Sequence, residues 1–170
     1  MLRIAIKHNR QALAALKKRV EKINAERPYV KVGLLGSGKA RPDGLSNAEI
    51  GIVHEFGAPE ANIPARPWLR PPIEAKRAEY EKQISDGLDA ALRGTGNLDR
   101  ALGLVGQQAA AAVKGYVTQG PPIPPPNSEK TQKRKESKRR KGSKGEVRTL
   151  VDTGRMVGGV TYKVEKGGKP

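Results

Sequence analysis

Prolines divide this chain before any other feature does. Five lie between positions 59 and 72 and five between 121 and 126, of thirteen in all. A proline fixes φ, withholds an amide donor and biases the preceding residue away from helix. Long helices must therefore lie outside these two stretches, and three segments qualify. From about Asn9 to Ala25, Leu13, Leu16, Val20 and Ile23 recur at helical spacing among lysines and arginines, and Pro28 ends the run. Pro72 suits a first helical turn, and the stripe Ile73, Arg77, Tyr80, Ile84, Leu88, Leu92 predicts one helix to about Arg93, broken by Gly94-Thr95-Gly96. Asn97 then caps a third helix with Leu98, Leu102, Val105, Ala109, Val113 and Val117 on one face. Its alanine run Ala109–Ala112 permits close packing, and Gly120 ends it.

Two strands are expected. Tyr29 to Leu35 alternates with Val30, Val32 and Leu34 on one face, and Val160, Tyr162 and Val164 alternate in a final strand that joins the same sheet. Ser46 and Glu49 form a capping box that opens a short helix carrying Ile50, Val53 and Phe56, stopped by Gly57. The run PPIPPP reads as a stiff polyproline spacer, and the Ser-, Gly- and Lys-rich residues after it as loop. Residues 150–156 read as a turn and short helix. There is no internal repeat. The expected fold class is α+β: a small antiparallel or mixed sheet packed by two long helices, with a long Pro-rich and basic loop before the last strand. One domain is expected from 1–120 plus 149–170, with 121–148 as an inserted arm.

Charge narrows the choice of partners. Lys and Arg number 33 against 17 Asp and Glu, a net +16. Much of this is local: from Lys130 to Arg148, ten basic residues face only Glu136 and Glu146. Lys133, Arg134, Lys135, Lys138, Arg139, Arg140, Lys141 and Lys144 form the cluster expected to meet a polyanion, either nucleic acid or an acidic protein surface. Such contact with DNA would be sequence-blind, and no aromatic residue interrupts the cluster for base stacking. The amino terminus, MLRIAIKHNR, lacks the apolar core of a secretory signal, and no run approaches the roughly 18 apolar residues of a membrane span. A soluble protein with no membrane partner is expected.

Chemistry finds little support. There is no Cys, which removes thiol chemistry and Cys zinc sites, and His8 and His54 are too far apart in sequence to suggest a metal cluster. The stretch VGLLGSGKA nearly spells a phosphate-binding loop, but Ala40 stands where the magnesium-holding hydroxyl belongs, and Pro42 and Gly44 argue for a turn where a helix should begin. His54-Glu55 lacks the second His of a zinc-protease helix, and Ala58 lies three residues past Glu55. Asp152-Thr153-Gly154 matches the aspartic-protease triplet only as letters, since the acid–base dyad needs two carboxylates. No enzyme activity, cofactor or metal is expected.

The residues singled out have structural roles instead. His54 is expected to hydrogen-bond a loop. Glu55 is expected to pair with Arg66 or Arg70, within one subunit or across an interface. Trp68, held between prolines, reads as a core anchor or as an intersubunit contact. Asp152 or Thr153 is expected to cap the short helix at Gly154.

Three stretches together resemble a known family. AEIGIVHEFGAPEANIPARPWLRPPIE is similar to the signature of tail-completion, or head–tail neck, proteins of long-tailed bacteriophages, related to the phage virion-morphogenesis proteins. The pattern is a short helix ending in His54-Glu55-Phe56-Gly57, a variable loop, then Ile63-Pro64-Ala65-Arg66-Pro67-Trp68-Leu69-Arg70-Pro71. Residues 120–164 resemble the family's second half: a Pro- and Lys-rich linker, the motif Leu150-Val151-Asp152-Thr153-Gly154-Arg155, and a strand. KVGLLGSG fits the strand before the short helix. The likeness spans about residues 29–165, and it departs where Gly158-Gly159-Val160 replaces a usual Ser-Ile pair. It implies a virion structural protein of the neck or upper tail, assembled in the bacterial host cytoplasm, that completes the tail and joins it to the head. Its implied partners are further copies of itself in a ring, a hexamer by analogy with tail symmetry, neighbouring neck and tail proteins, and packaged DNA in the lumen. The alternative is a sequence-nonspecific nucleic-acid-binding protein, in which the Pro-Trp segment and the Asp-Thr-Gly turn are only scaffold.

Overall fold

The computed structural model describes residues 2–36, 44–137, 147–151 and 154–167, with side chains from residue 10 onward. The described elements run α1 (Leu2–Glu26), β1 (Pro28–Leu34), α2 (Asn47–Phe56), a 3-10 turn (Pro59–Ala61), α3 (Arg70–Glu74), α4 (Arg77–Arg93), α5 (Leu98–Thr118), α6 (Glu129–Ser137), α7 (Arg155–Gly158) and β2 (Val160–Lys166). The strands β1 and β2 pair as an antiparallel two-stranded sheet beside long helices, so the fold is α+β. The chain forms two compact units: residues 1–31, 77–107 and 162–170, and residues 32–76 and 108–161.

In the first unit α1 packs against α4. The half-buried positions of α1 are Ala15, Arg19, Ile23 and Glu26, while Leu13, Leu16 and Val20 are exposed. The helical period holds, but the inward face is rotated away from the apolar stripe that the sequence suggested. Arg19 explains the rotation: its Nη1 donates to the Leu92 carbonyl at 3.1 Å, at the end of α4, and its guanidinium lies against Gly94, whose φ of +80 marks the turn. Asn97 caps α5, its Oδ1 accepting from the Arg100 amide at 3.3 Å. The helix expected from 72 to 93 begins at Arg70 and is interrupted after Glu74, where the Lys76 amide makes a tight i−3 bond to the Ile73 carbonyl at 3.2 Å.

Strands meet α5 in this unit at Gly106. A Cβ there would lie 2.6 Å from the Tyr162 ring and 2.7 Å from Val30. Nearby, Glu165 accepts from Lys31 Nζ at 2.6 Å, Tyr29 Oη at 2.8 Å and Lys163 Nζ at 3.0 Å. The Lys31 bond, then those of Lys163 and Tyr29, pull its carboxyl down to about 2.

In the second unit the core comprises Trp68, Val113, Val117, Ile123, Met156 and Val160, with Val32 and Leu34 against it. Ile123 is the informative member. The PPIPPP run is no free spacer: its one isoleucine is buried, and the Arg148 guanidinium holds the Gly120 carbonyl at 2.8 Å. The first part of the basic stretch is also helical. Ser128 opens α6, its hydroxyl accepting from the Thr131 amide at 3.4 Å. Among the described residues, no helix is long and apolar enough to cross a membrane.

Two outcomes test this packing. Gly106→Leu should lower stability by about 1–3 kcal/mol through overpacking, whereas Gly103→Ala, on the same helix with open space at its Cβ, should raise it by about 0.5–1 kcal/mol; urea midpoints read both. Glu165 has a depressed folded pKa, so its contribution is present above the ordinary 4.5 and is lost as pH falls toward about 2. Glu165→Gln should flatten that part of the stability profile.

Candidate functional site

Two of the expected site residues, Trp68 and Arg70, meet a third, Glu55, in the second unit. Glu55 is 3% exposed at the end of α2. A carboxylate so buried needs donors for its oxygens, and the segment after Pro67 supplies four. Oε2 accepts from the Trp68 amide at 2.7 Å and the Leu69 amide at 2.9 Å. Oε1 accepts from the Arg70 amide at 3.3 Å and from Arg70 Nε at 2.7 Å. Burial by itself raises the Glu55 pKa, but the bonds from Leu69, Arg70 and Trp68 together outweigh it and hold the carboxyl below its ordinary value. Of the two arginines expected to pair with Glu55, the structure selects Arg70.

Local sequence makes this possible. The capping box is present, with the Glu49 amide donating to Ser46 Oγ at 3.1 Å and Glu49 Oε2 accepting from the Ser46 amide at 2.7 Å. It fixes the start of α2 and so the register that turns Glu55 inward. Gly57, φ +79, ends the helix where a Cβ would strike the Ala65 amide at 2.8 Å. The chain then doubles back: Ala58 and Ile63 exchange backbone bonds at 2.8 and 3.0 Å, and the Arg66 amide donates to the His54 carbonyl at 2.6 Å. His54 thus holds the loop through its main chain.

Trp68 is 2% exposed, a core residue of its unit. Its Nε1 donates to the Gly51 carbonyl at 2.9 Å. The indole lies on α2 because Gly51 has no side chain; a Cβ there would meet Leu34 at 2.6 Å and the indole at 3.1 Å. Nothing in the sequence pattern singled out Gly51, since a lone helical glycine reads as a weak spot and not as a seat for a ring.

Arg66 turns to the Pro-rich run instead, with Nε donating to the Pro125 carbonyl at 2.9 Å and Nη2 to the Pro126 carbonyl at 3.1 Å. Lys135 bridges the carbonyls of Arg148 and Val151, both at 2.8 Å. Lys133 and Arg134 are exposed on α6. Lys138, Arg139, Arg140, Lys141 and Lys144 lie outside the described residues, as do Asp152 and Thr153. Gly154, φ +72, occupies the N-cap position of α7 with no side-chain cap.

These anchors wall a cleft of about 810 Å³ in the second unit. Its cations are Arg66, Arg134, Lys135 and Arg155, with His54 beside them, and none of its described lining residues is a carboxylate. Ile50, Ile63, Leu150 and Met156 give it an apolar share. Among the described residues, no group of three His, Cys, Asp or Glu could hold a metal ion. The arrangement can hold an anion; Glu55, the one buried carboxylate among the described residues, is already engaged by four donors.

Glu55→Gln should cost about 3 kcal/mol, because it leaves buried amides facing an NH2 group and breaks the pair with Arg70. The depressed pKa makes the Glu55 contribution present above the ordinary 4.5 and lost as pH falls below it. Acid titration of stability should therefore be less steep in the variant than in the parent.

No protein-family model, curated protein or solved structure matches this chain.

Proposed function

We propose that this chain is a structural protein of a long-tailed bacteriophage virion, in the neck or upper tail. There it completes the tail and joins it to the head by assembling into a ring, a hexamer, with neighbouring neck and tail proteins above and below. The role needs no catalysis and no cofactor; assembly takes place in the host cytoplasm.

One observation carries the reading. The two halves of the segment that resembles the family signature, 54–57 and 63–71, are bound to each other through Glu55. The motif residues thus act as a staple, which supports a structural role for them, with the Glu55 carboxylate engaged by four donors. Around the staple, contact-forming groups face outward. Ile52 and Phe56 are 60% and 63% exposed on α2, and Arg70 lies 4.9 Å over the Phe56 ring. Apolar and arginine side chains of this kind dominate the energetics of interfaces. In the other unit, Leu13, Leu16 and Val20 offer a second apolar surface of the sort that assembly covers.

The decisive experiment is electron microscopy of a lysate from a phage with an early stop codon in this gene. DNA-filled heads beside unattached tails are expected; intact joined particles would overturn the reading. In vitro, Phe56→Asp should keep the chain folded and abolish ring formation, read by sedimentation against the 18.3 kDa chain.

A second reading, sequence-nonspecific nucleic-acid binding, is favoured by the exposed Lys130, Lys133 and Arg134 on α6. A steep loss of DNA affinity with salt in the isolated chain would bring it forward.

A further inference from the structure

We infer that the cleft of the second unit is a binding site for an acidic, partly apolar peptide segment of a partner protein. The inference rests on the cleft alone and not on the neck-protein reading.

Charge sets the first requirement. Arg66, Arg134, Lys135 and Arg155 line the cleft, and no described lining residue opposes them. They differ in what they can still do. Lys135 is engaged with two carbonyls, and Arg66 spends two of its donors on Pro125 and Pro126. Arg134 and Arg155 are exposed and have no ion-pair partner among the described residues. A guanidinium presents a planar fork that matches a carboxylate in two parallel bonds. The cleft therefore offers two open forks beside two cations held rigidly in place.

The remaining lining selects among anions. Ile50, Ile63, Leu150 and Met156 would contact apolar groups, which a phosphate backbone lacks. None of the described lining residues is Phe, Tyr or Trp, so a base has only the His54 ring and the arginine planes to stack on. Asn62, Asn127, Ser128 and Thr131 add donors and acceptors suited to a peptide main chain. The volume of about 810 Å³ fits a short segment and not a duplex. The walls are fixed in advance by the Arg66 and Lys135 clamps, so little ordering is needed when the segment enters.

The test uses the full chain and three fluorescein-labelled probes at roughly physiological ionic strength: a hexapeptide alternating glutamate with leucine, its glutamine counterpart, and a short poly-dT oligonucleotide. Anisotropy should show the glutamate peptide binding at least about tenfold more tightly than the glutamine one, as expected for charge-assisted bonds. The double variant Arg134→Gln/Arg155→Gln should lose at least about tenfold, with an unchanged urea midpoint. Thr131→Glu, which places a carboxylate in the cleft, should weaken binding likewise. Lys133→Gln removes one positive charge from α6 outside the cleft and should change affinity by less than about twofold. Equal weakening by Lys133→Gln would mean diffuse attraction and overturn the site. Tighter binding of poly-dT, lost in the double variant, would overturn the peptide in favour of a phosphate ligand. Failure of the glutamate peptide to bind would also overturn it.

Discussion

Solvent scarcely reaches the buried Glu55 side chain, and a charge in that position is tolerable only if the protein replaces the lost hydration. Three consecutive backbone amides and one guanidinium do so. Each donor must arrive from a defined direction, so the requirement of one side chain orders the backbone of residues 68–70. The rest of the loop is then bracketed between Gly57 and Pro67. The same geometry turns the Trp68 indole onto α2 and sends the neighbouring Arg66 toward the Pro-rich run.

A second device recurs with different residues. Arg66, Lys135 and Arg148 all donate to main-chain carbonyls. The carbonyls they serve belong to residues 120–126 and 148–151, outside the sheet ladder. The residues that own these carbonyls are half-buried or exposed, and proline offers no amide with which such a stretch could build a ladder. Long cations supply what regular structure would have supplied elsewhere. Part of the basic excess is thus structural, and charge counting along the sequence overstates what α6 and its surroundings hold out to a polyanion.

Elements whose determinants are local were legible in the sequence. The Ser46–Glu49 capping box, the Gly57 stop, the Asn97 cap and the alternation of Val30, Val32 and Leu34 all depend on residues a few positions apart. The pairing of Glu55 was narrowed to two arginines, but choosing Arg70 required the path of the chain around Pro67. Leu13, Leu16 and Val20 misled because periodicity reports a face without saying what lies opposite it, and Arg19 takes the inward position through a hydrogen bond 73 residues away. Ile123 was hidden by its prolines, which suggested extension and not docking. Gly51 and Gly106 carried no signal, since their value is the space they leave for Trp68 and Tyr162. The cleft depends on four separate segments and has no sequence signature at all.

The Arg66 clamp joins residues 59 positions apart to its first carbonyl, and the Arg148 clamp spans 28. Contacts of such separation must close large loops before they return any stabilisation, which slows folding. They also impose an order during synthesis. Residues 32–76 leave the ribosome first, but the strip of α5 that buries Trp68, together with the carbonyls that receive Arg66, arrives only with residues 108–126. Until then the Glu55 staple can close on its own short loop while the indole remains uncovered. The nascent chain therefore passes through a stage in which its single tryptophan is accessible, and chaperone engagement is expected to be strongest there.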